Sequence, residues 1–117
     1  MSTDRKIDYL ELPATDLEAI KSFYSKAFGW SFQDYGEAYC SFTDGTFNGG
    51  FYQSAQSSSV ANGAALVVVY AADLEAMSEV IVNSGGTIVR TIFSFPGGRR
   101  FHFADPSGNE LAVWSDN

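Results

Sequence analysis

Tyr9–Phe32, YLELPATDLEAIKSFYSKAFGWSF, lies without a gap over Leu66–Val89, LVVVYAADLEAMSEVIVNSGGTIV, when the chain is slid against itself by 57 residues. Ala14, Asp16, Leu17, Glu18, Ala19 and Gly29 meet Ala71, Asp73, Leu74, Glu75, Ala76 and Gly86. The apolar positions correspond too, with Ile20 on Met77, Phe23 on Val80 and Tyr24 on Ile81. Self-similarity over such a length is the mark of one supersecondary unit used twice.

Each copy reads as a strand and then a helix. Residues 7–12 and 64–70 are short runs rich in β-formers, whereas Leu17, Ile20, Phe23, Tyr24 and Ala27 recur at helical spacing, as do Leu74, Met77, Val80 and Ile81. Thr15-Asp16-Leu17-Glu18 has the form of a capping box started by the threonine hydroxyl. Ala72 removes that hydroxyl from the second copy and leaves Asp73 to complement the helix dipole. Gly29 and Gly85-Gly86 offer the left-handed conformation that stops a helix, which predicts about twelve residues for each. Behind each helix come three strand-like segments, at about 30–35, 38–43 and 47–53, and again at 87–94, 99–104 and 110–115. Gly36, Asp44-Gly45, Pro96-Gly97-Gly98 and Asp105-Pro106-Ser107-Gly108-Asn109 separate them as turns. The unit is βαβββ, and the class is α+β. One domain over 1–117 follows, with module one at about 5–53, a Ser-rich linker at about 54–63 and module two at about 64–117.

Composition narrows the function. Only 18% of the 117 residues are charged while 15% are aromatic, so the chain carries more apolar surface than one core consumes, which predicts a pocket, a homodimer interface, or both. A net charge of −7 repels phosphate backbones and anionic membranes and favours a cationic ligand, so neither nucleic acid nor a membrane is an expected partner. A single cysteine, Cys40, excludes a disulfide scaffold and reads as a small buried hydrophobe. No apolar run approaches the roughly 20 residues of a bilayer span. With no apolar leader in the opening MSTDRK, the expected location is cytoplasmic.

The run ELPATDLEAIKSFYSKAFGW resembles the opening of the vicinal oxygen chelate superfamily, which includes glyoxalase I, bleomycin resistance proteins and extradiol dioxygenases, and DPSGNELAVW resembles its closing strand. The resemblance spans nearly the whole chain. It implies paired βαβββ modules forming a curled mixed sheet around a central funnel, with the helices on the outer face. It also implies a divalent metal inside, held by a His or Glu from each first strand and a Glu from each last strand. Those positions fall on Tyr9, Leu66 and Ala112, none of them a usual ligand, and the last strand of module one, TFNGGFYQS, contains no carboxylate or histidine. Glu110 lies two residues before Ala112 on the same strand face, displaced by about 7 Å. A site improvised from His102, the only histidine, with Glu110 and Glu11 is the remaining route to a metal, and no cofactor is expected.

In that inherited register, strand alternation places Ile7, Tyr9, Glu11, Ala64, Leu66, Val68, Glu110, Ala112 and Trp114 on the concave face. Leu10, Leu12, Val67, Val69, Leu111 and Val113 then turn to the helices. The expected ligand-binding residues are Tyr9, Glu11, Leu66, Val68, His102, Glu110, Ala112 and Trp114, giving apolar walls with two carboxylates. Glu11 or Glu110 would meet a cationic group, act as a general base if burial raises its pKa, or simply pair with Arg99 or Arg100. Phe28-Gly29-Trp30 is expected to pack the helix end onto the sheet. The function these residues favour is metal-independent sequestration of a small organic molecule, as the resemblance to bleomycin resistance proteins implies. A glyoxalase-like lyase or isomerase, or a dioxygenase-type enzyme, is the rival, and a non-catalytic dimeric regulatory module is the third.

Overall fold

Both helices are started by an aspartate. In the computed structural model, which describes residues 2–117, Asp16 caps α1 (Leu17–Phe28) by accepting from Ala19 N at 3.1 Å, and Asp73 caps α2 (Leu74–Asn83) by accepting from Ala76 N at 3.0 Å. The Thr15 capping box does not form. A carboxylate is the stronger partner for the positive end of a helix, and Thr15 instead turns its backbone N–H to Ser107 Oγ at 3.0 Å. Gly29 closes α1 at φ 73°, its N–H donating to Ser25 O. Helix α2 is shorter than expected, at 10 residues, because Ser84 already caps it and Gly85 takes the positive φ. Gly86 serves close approach: a Cβ there would lie 2.9 Å from the Phe23 ring.

The strands are β1 (Tyr9–Ala14), β2 (Ser31–Asp34), β3 (Tyr39–Thr43) and β4 (Asn48–Gln53) in module one, then β5 (Val67–Tyr70), β6 (Thr87–Phe95), β7 (Gly98–Ala104) and β8 (Glu110–Ser115) in module two. They form two four-stranded sheets, ordered β1-β4-β3-β2 and β5-β8-β7-β6, with β1/β4 and β5/β8 parallel and the other pairs antiparallel. The fold is therefore α+β, two βαβββ modules, with the two sheets separate rather than closed into one funnel. Pro13 is tolerated in β1 because that strand is an edge. Strand β5 starts at Val67 and not at 64, since the Glu110 N–H that an earlier start would need donates to Ser58 O in the linker at 2.7 Å. The linker is thereby docked onto module two.

One hydrophobic core serves both modules. Trp30 is stacked between Tyr24 at 4.5 Å and Phe42 at 4.4 Å, which is how the end of α1 is fixed to its sheet. Phe23 and Phe28 reach from α1 to Phe103 on β7, at 5.9 and 6.0 Å. The expected apolar face of α1 is buried throughout. On α2 only Leu74 and Ile81 are buried, Met77 is partly so, and Val80 is 37% exposed, because the smaller residue does not reach across as its counterpart Phe23 does. Leu12, Leu111 and Val113 join the core as expected, and Cys40 is wholly buried with its thiol pKa pushed up by burial.

The β7–β8 turn ties the modules together. Tyr24 OH donates to Asp105 Oδ2 at 2.7 Å, Asn109 Nδ2 donates to the same oxygen at 3.0 Å and to Pro13 O at 2.7 Å, and the Ser107 and Asn109 N–H groups converge on Asp105 Oδ1. Burial raises the Asp105 pKa despite these donors, and it also holds the Tyr24 phenol in its protonated form. Tyr24→Phe removes one donor and leaves a buried carboxylate short of a partner, so it is expected to lower stability by about 2 kcal/mol in urea unfolding.

Candidate functional site

Away from the helices, each sheet presents a face of different chemistry. On module one the register sets Glu11 opposite Gly50 and Gly50 opposite Ser41, with Tyr9 beside Asn48 and Tyr39 beside Tyr52. Tyr39 OH donates to Glu11 Oε2 at 2.9 Å. A phenol has one hydrogen, so in the 2.6 Å contact between Tyr9 OH and Tyr39 OH the donor is Tyr9. The relay runs Tyr9 to Tyr39 to Glu11 and leaves the Tyr9 oxygen with only lone pairs to offer. Gly50 is the residue that permits it, because a Cβ there would strike Tyr39 OH and lie 2.8 Å from Tyr9 OH. Burial, then the bonds to Tyr9 and Glu11, push the Tyr39 pKa up. An open depression of about 640 Å³ adjoins the relay, lined by Tyr9, Tyr35, Tyr39, Gln33, Ser41 and Asn48 among others.

On module two, His102 Nδ1 and Glu110 Oε2 are 2.7 Å apart, and His102 is 4% exposed. Glu110 Oε1 accepts from Val60 N at 3.2 Å. The bond to His102 holds the Glu110 pKa below its ordinary value against the opposing effect of burial, so the condition for Glu110 to serve as a base near neutrality is not met. With Glu110 ionised, His102 Nδ1 carries the hydrogen. Arg90 stands opposite His102 in the register, its guanidinium 3.7 Å from the Phe93 ring centre, and Arg100 stands opposite Phe93.

The expected site residues therefore divide. Tyr9 and Glu11 meet on module one. His102, Glu110, Ala112, Trp114 and Val68 share the module-two face, with Val68 opposite Ala112 and Trp114 between the Tyr70 and Phe95 rings at 5.2 and 6.4 Å. Leu66 precedes β5 and is half-buried, and Ala112 is fully buried. The ion pair of Glu11 or Glu110 with Arg99 or Arg100 is not formed, since Arg99 is held by Glu75 at 2.6 Å. The improvised metal site does not assemble either: Glu11 is bonded to Tyr39 on the other sheet, and no three His, Cys, Asp or Glu converge among the described residues. The sequence alone did not single out Tyr39, Gly50 or Arg90, and it offered Arg100 only as an ion-pair partner. The alternation of residues 39–43 and the Gly49-Gly50 pair were the available signals for the first two.

The sequence matches the Glyoxalase/Bleomycin resistance protein/Dioxygenase superfamily over residues 6–113. The chain belongs to this superfamily. Solved structures agree on the fold. A glyoxalase-related enzyme from Fulvimarina pelagi is 19% identical, with 95% of this chain and 88% of that one covered and a TM-score of 0.78. A glyoxalase/bleomycin resistance protein/dioxygenase family enzyme from Burkholderia phytofirmans PsJN is 14% identical, covering 95% and 100%, at 0.78. The fosfomycin resistance protein FosX from Mesorhizobium loti is 15% identical, covering 98% and 95%, at 0.75. A search of curated proteins finds no significant match. The metal that the glyoxalase resemblance implies does not fit the residues at its positions: Ala112 and Leu66 have no donor atom, and the Tyr9 phenol hydrogen is committed to Tyr39.

The relay makes a spectroscopic prediction. In Glu11→Gln the Tyr39 phenol loses its anionic acceptor, and its titration, followed by NMR at Tyr39 Cζ, is expected to move to lower pH while staying above an ordinary tyrosine because burial persists. A titration that does not move contradicts the relay.

Proposed function

We propose that the chain binds and sequesters, without a metal, a small organic cation in the depression of module one. The observation that carries this reading is the direction of the Tyr9–Tyr39–Glu11 relay. Its hydrogens all point toward the carboxylate, so the end that borders the depression accepts hydrogen bonds. An ammonium or amidinium group supplies both the N–H and the charge that this end calls for. The tyrosine faces of Tyr9, Tyr35 and Tyr39 add cation–π attraction, and the net charge of −7 favours the same sign of ligand at long range.

Benzylammonium and benzyl alcohol form the discriminating pair, being similar in size with and without charge. Calorimetric titration is expected to show about tenfold tighter binding of the cation, a preference that Glu11→Gln abolishes and a site that Gly50→Ala closes. Equal binding of the two probes, or a preference that survives Glu11→Gln, overturns the reading.

The partner we propose is a second copy of the chain. Ile7, Val68 and Tyr70 are 86%, 43% and 51% exposed, and β1 and β5 are free sheet edges. The carboxylate and phenols of one module's face are complementary to the guanidiniums of the other's. Sedimentation equilibrium is expected to give a dimer that Val68→Asp dissociates, and a wild-type monomer at tens of micromolar would dispose of this partner.

A further inference from the structure

The two modules differ in what they leave unpaired. On module two, His102 is 4% exposed with Nδ1 bonded to Glu110, and its Nε2 makes no hydrogen bond within the chain. Two residues earlier on the same strand face, Arg100 Nε is buried and likewise unbonded. Arg90 completes the group from β6, directly opposite His102. Of the three arginines in this region only Arg99 has an acid, and among the described residues neither Arg90 nor Arg100 forms an ion pair. Glu110, the carboxylate on this face, is already engaged by His102 and Val60.

Around these nitrogens the walls are aromatic. Arg90 and Arg100 lie 3.7 and 5.3 Å from the Phe93 ring centre, Arg100 is 5.6 Å from that of Phe95, and Phe95 neighbours Trp114. Guanidiniums stacked on rings keep their planar forks directed and give up water readily. The buried Arg100 Nε–H without an acceptor costs free energy that a bound oxyanion recovers, and a planar carboxylate matches the guanidinium fork.

We propose that the Arg90–Phe93–Arg100–His102 face of module two is a binding site for the carboxylate of a small aromatic acid, distinct from the cation site of module one. The arginine forks hold the two oxygens, the His102 ring lies beside them as a reporter, and the ring of the acid lies against Phe93, Phe95 and Trp114. This site is independent of the relay on module one, so either stands if the other fails.

Because the chain has a single histidine, its imidazole gives one set of NMR signals. Titrating the full chain with benzoate is expected to move the His102 Nε2 resonance saturably, with acetate weaker for want of a ring and benzamide silent for want of charge. Arg100→Met is expected to weaken benzoate at least tenfold, Arg90→Met similarly, and Glu11→Gln not at all. Should one variant misfold, as its amide spectrum would show, the other decides. Benzoate without effect on the imidazole at millimolar concentration overturns the proposal. So does a stronger response to benzylammonium or inorganic phosphate, or an Arg100→Met effect on self-association with none on benzoate, which would give these arginines to a second copy of the chain.

Discussion

The carboxylate of Asp105 is the point on which the arrangement of this molecule depends. It is 5% exposed, between a helix of module one and a turn of module two, and it accepts from Tyr24, Ser107 and Asn109 together. Asn109 extends the network to Pro13 O on β1 and, through Oδ1, to Ser58 N in the linker. A buried charge is tolerated only when its lone pairs are met, and here meeting them requires both modules in one relative position. The turn therefore acts as a clasp. Helix α1 is fixed against β7 through Phe23, Phe28 and Phe103, and the unusual polar groups lie on the sheet faces turned away from the helices.

The internal repeat explains why the two faces are comparable, and its divergence explains why they differ. At the shared register Tyr9 corresponds to Leu66 and Glu11 to Val68, so the first strand of module one carries a phenol and an acid where module two carries hydrocarbon. Module two instead places its polar groups on the far strands, Arg90 on β6, Arg100 and His102 on β7, and Glu110 on β8. The helix starts stayed alike, Asp16-Leu17-Glu18 against Asp73-Leu74-Glu75, whereas core positions drifted too, as Ile20 against Met77 and Tyr24 against Ile81 show. Where they did drift, as with Phe23 against Val80, one helix became the shared centre of the core and the other kept part of its apolar face exposed.

Much of the fold was legible because it rests on local rules. Helical periodicity marked Leu17, Ile20, Phe23, Tyr24 and Ala27, all buried, and turn chemistry at Gly97 and Gly108 separated the last three strands. Strand starts were less legible, since β5 begins where Ser58 stops occupying a backbone donor, a contact between residues far apart in sequence. The cap on α1 was misplaced by one residue because Thr15 and Asp16 are both good caps and only the position of Ser107 shows which one is free. The site was half legible. Alternation set Tyr9, Glu11 and Glu110 on one face and His102 stood out as the only histidine, but neither signal could say which of them meet, because that depends on which sheet each pairs into.

Net charge is a weak guide to a local face. The value of −7 describes the whole surface as met by a distant ligand, and screening confines it to roughly 10 Å at moderate salt. At contact, a ligand meets individual groups. Glu11 reads out through two phenols as a hydrogen-bond acceptor, whereas Arg90 and Arg100 present donors on aromatic rings within the same acidic chain. If two copies meet face to face, an acceptor-bearing surface of one confronts a donor-bearing surface of the other, and a molecule with an amine at one end and an acid at the other would satisfy both. On the two sites proposed above, opposite chemistry on duplicated modules would give one short chain two recognition surfaces, which a symmetric pair of identical modules could not provide.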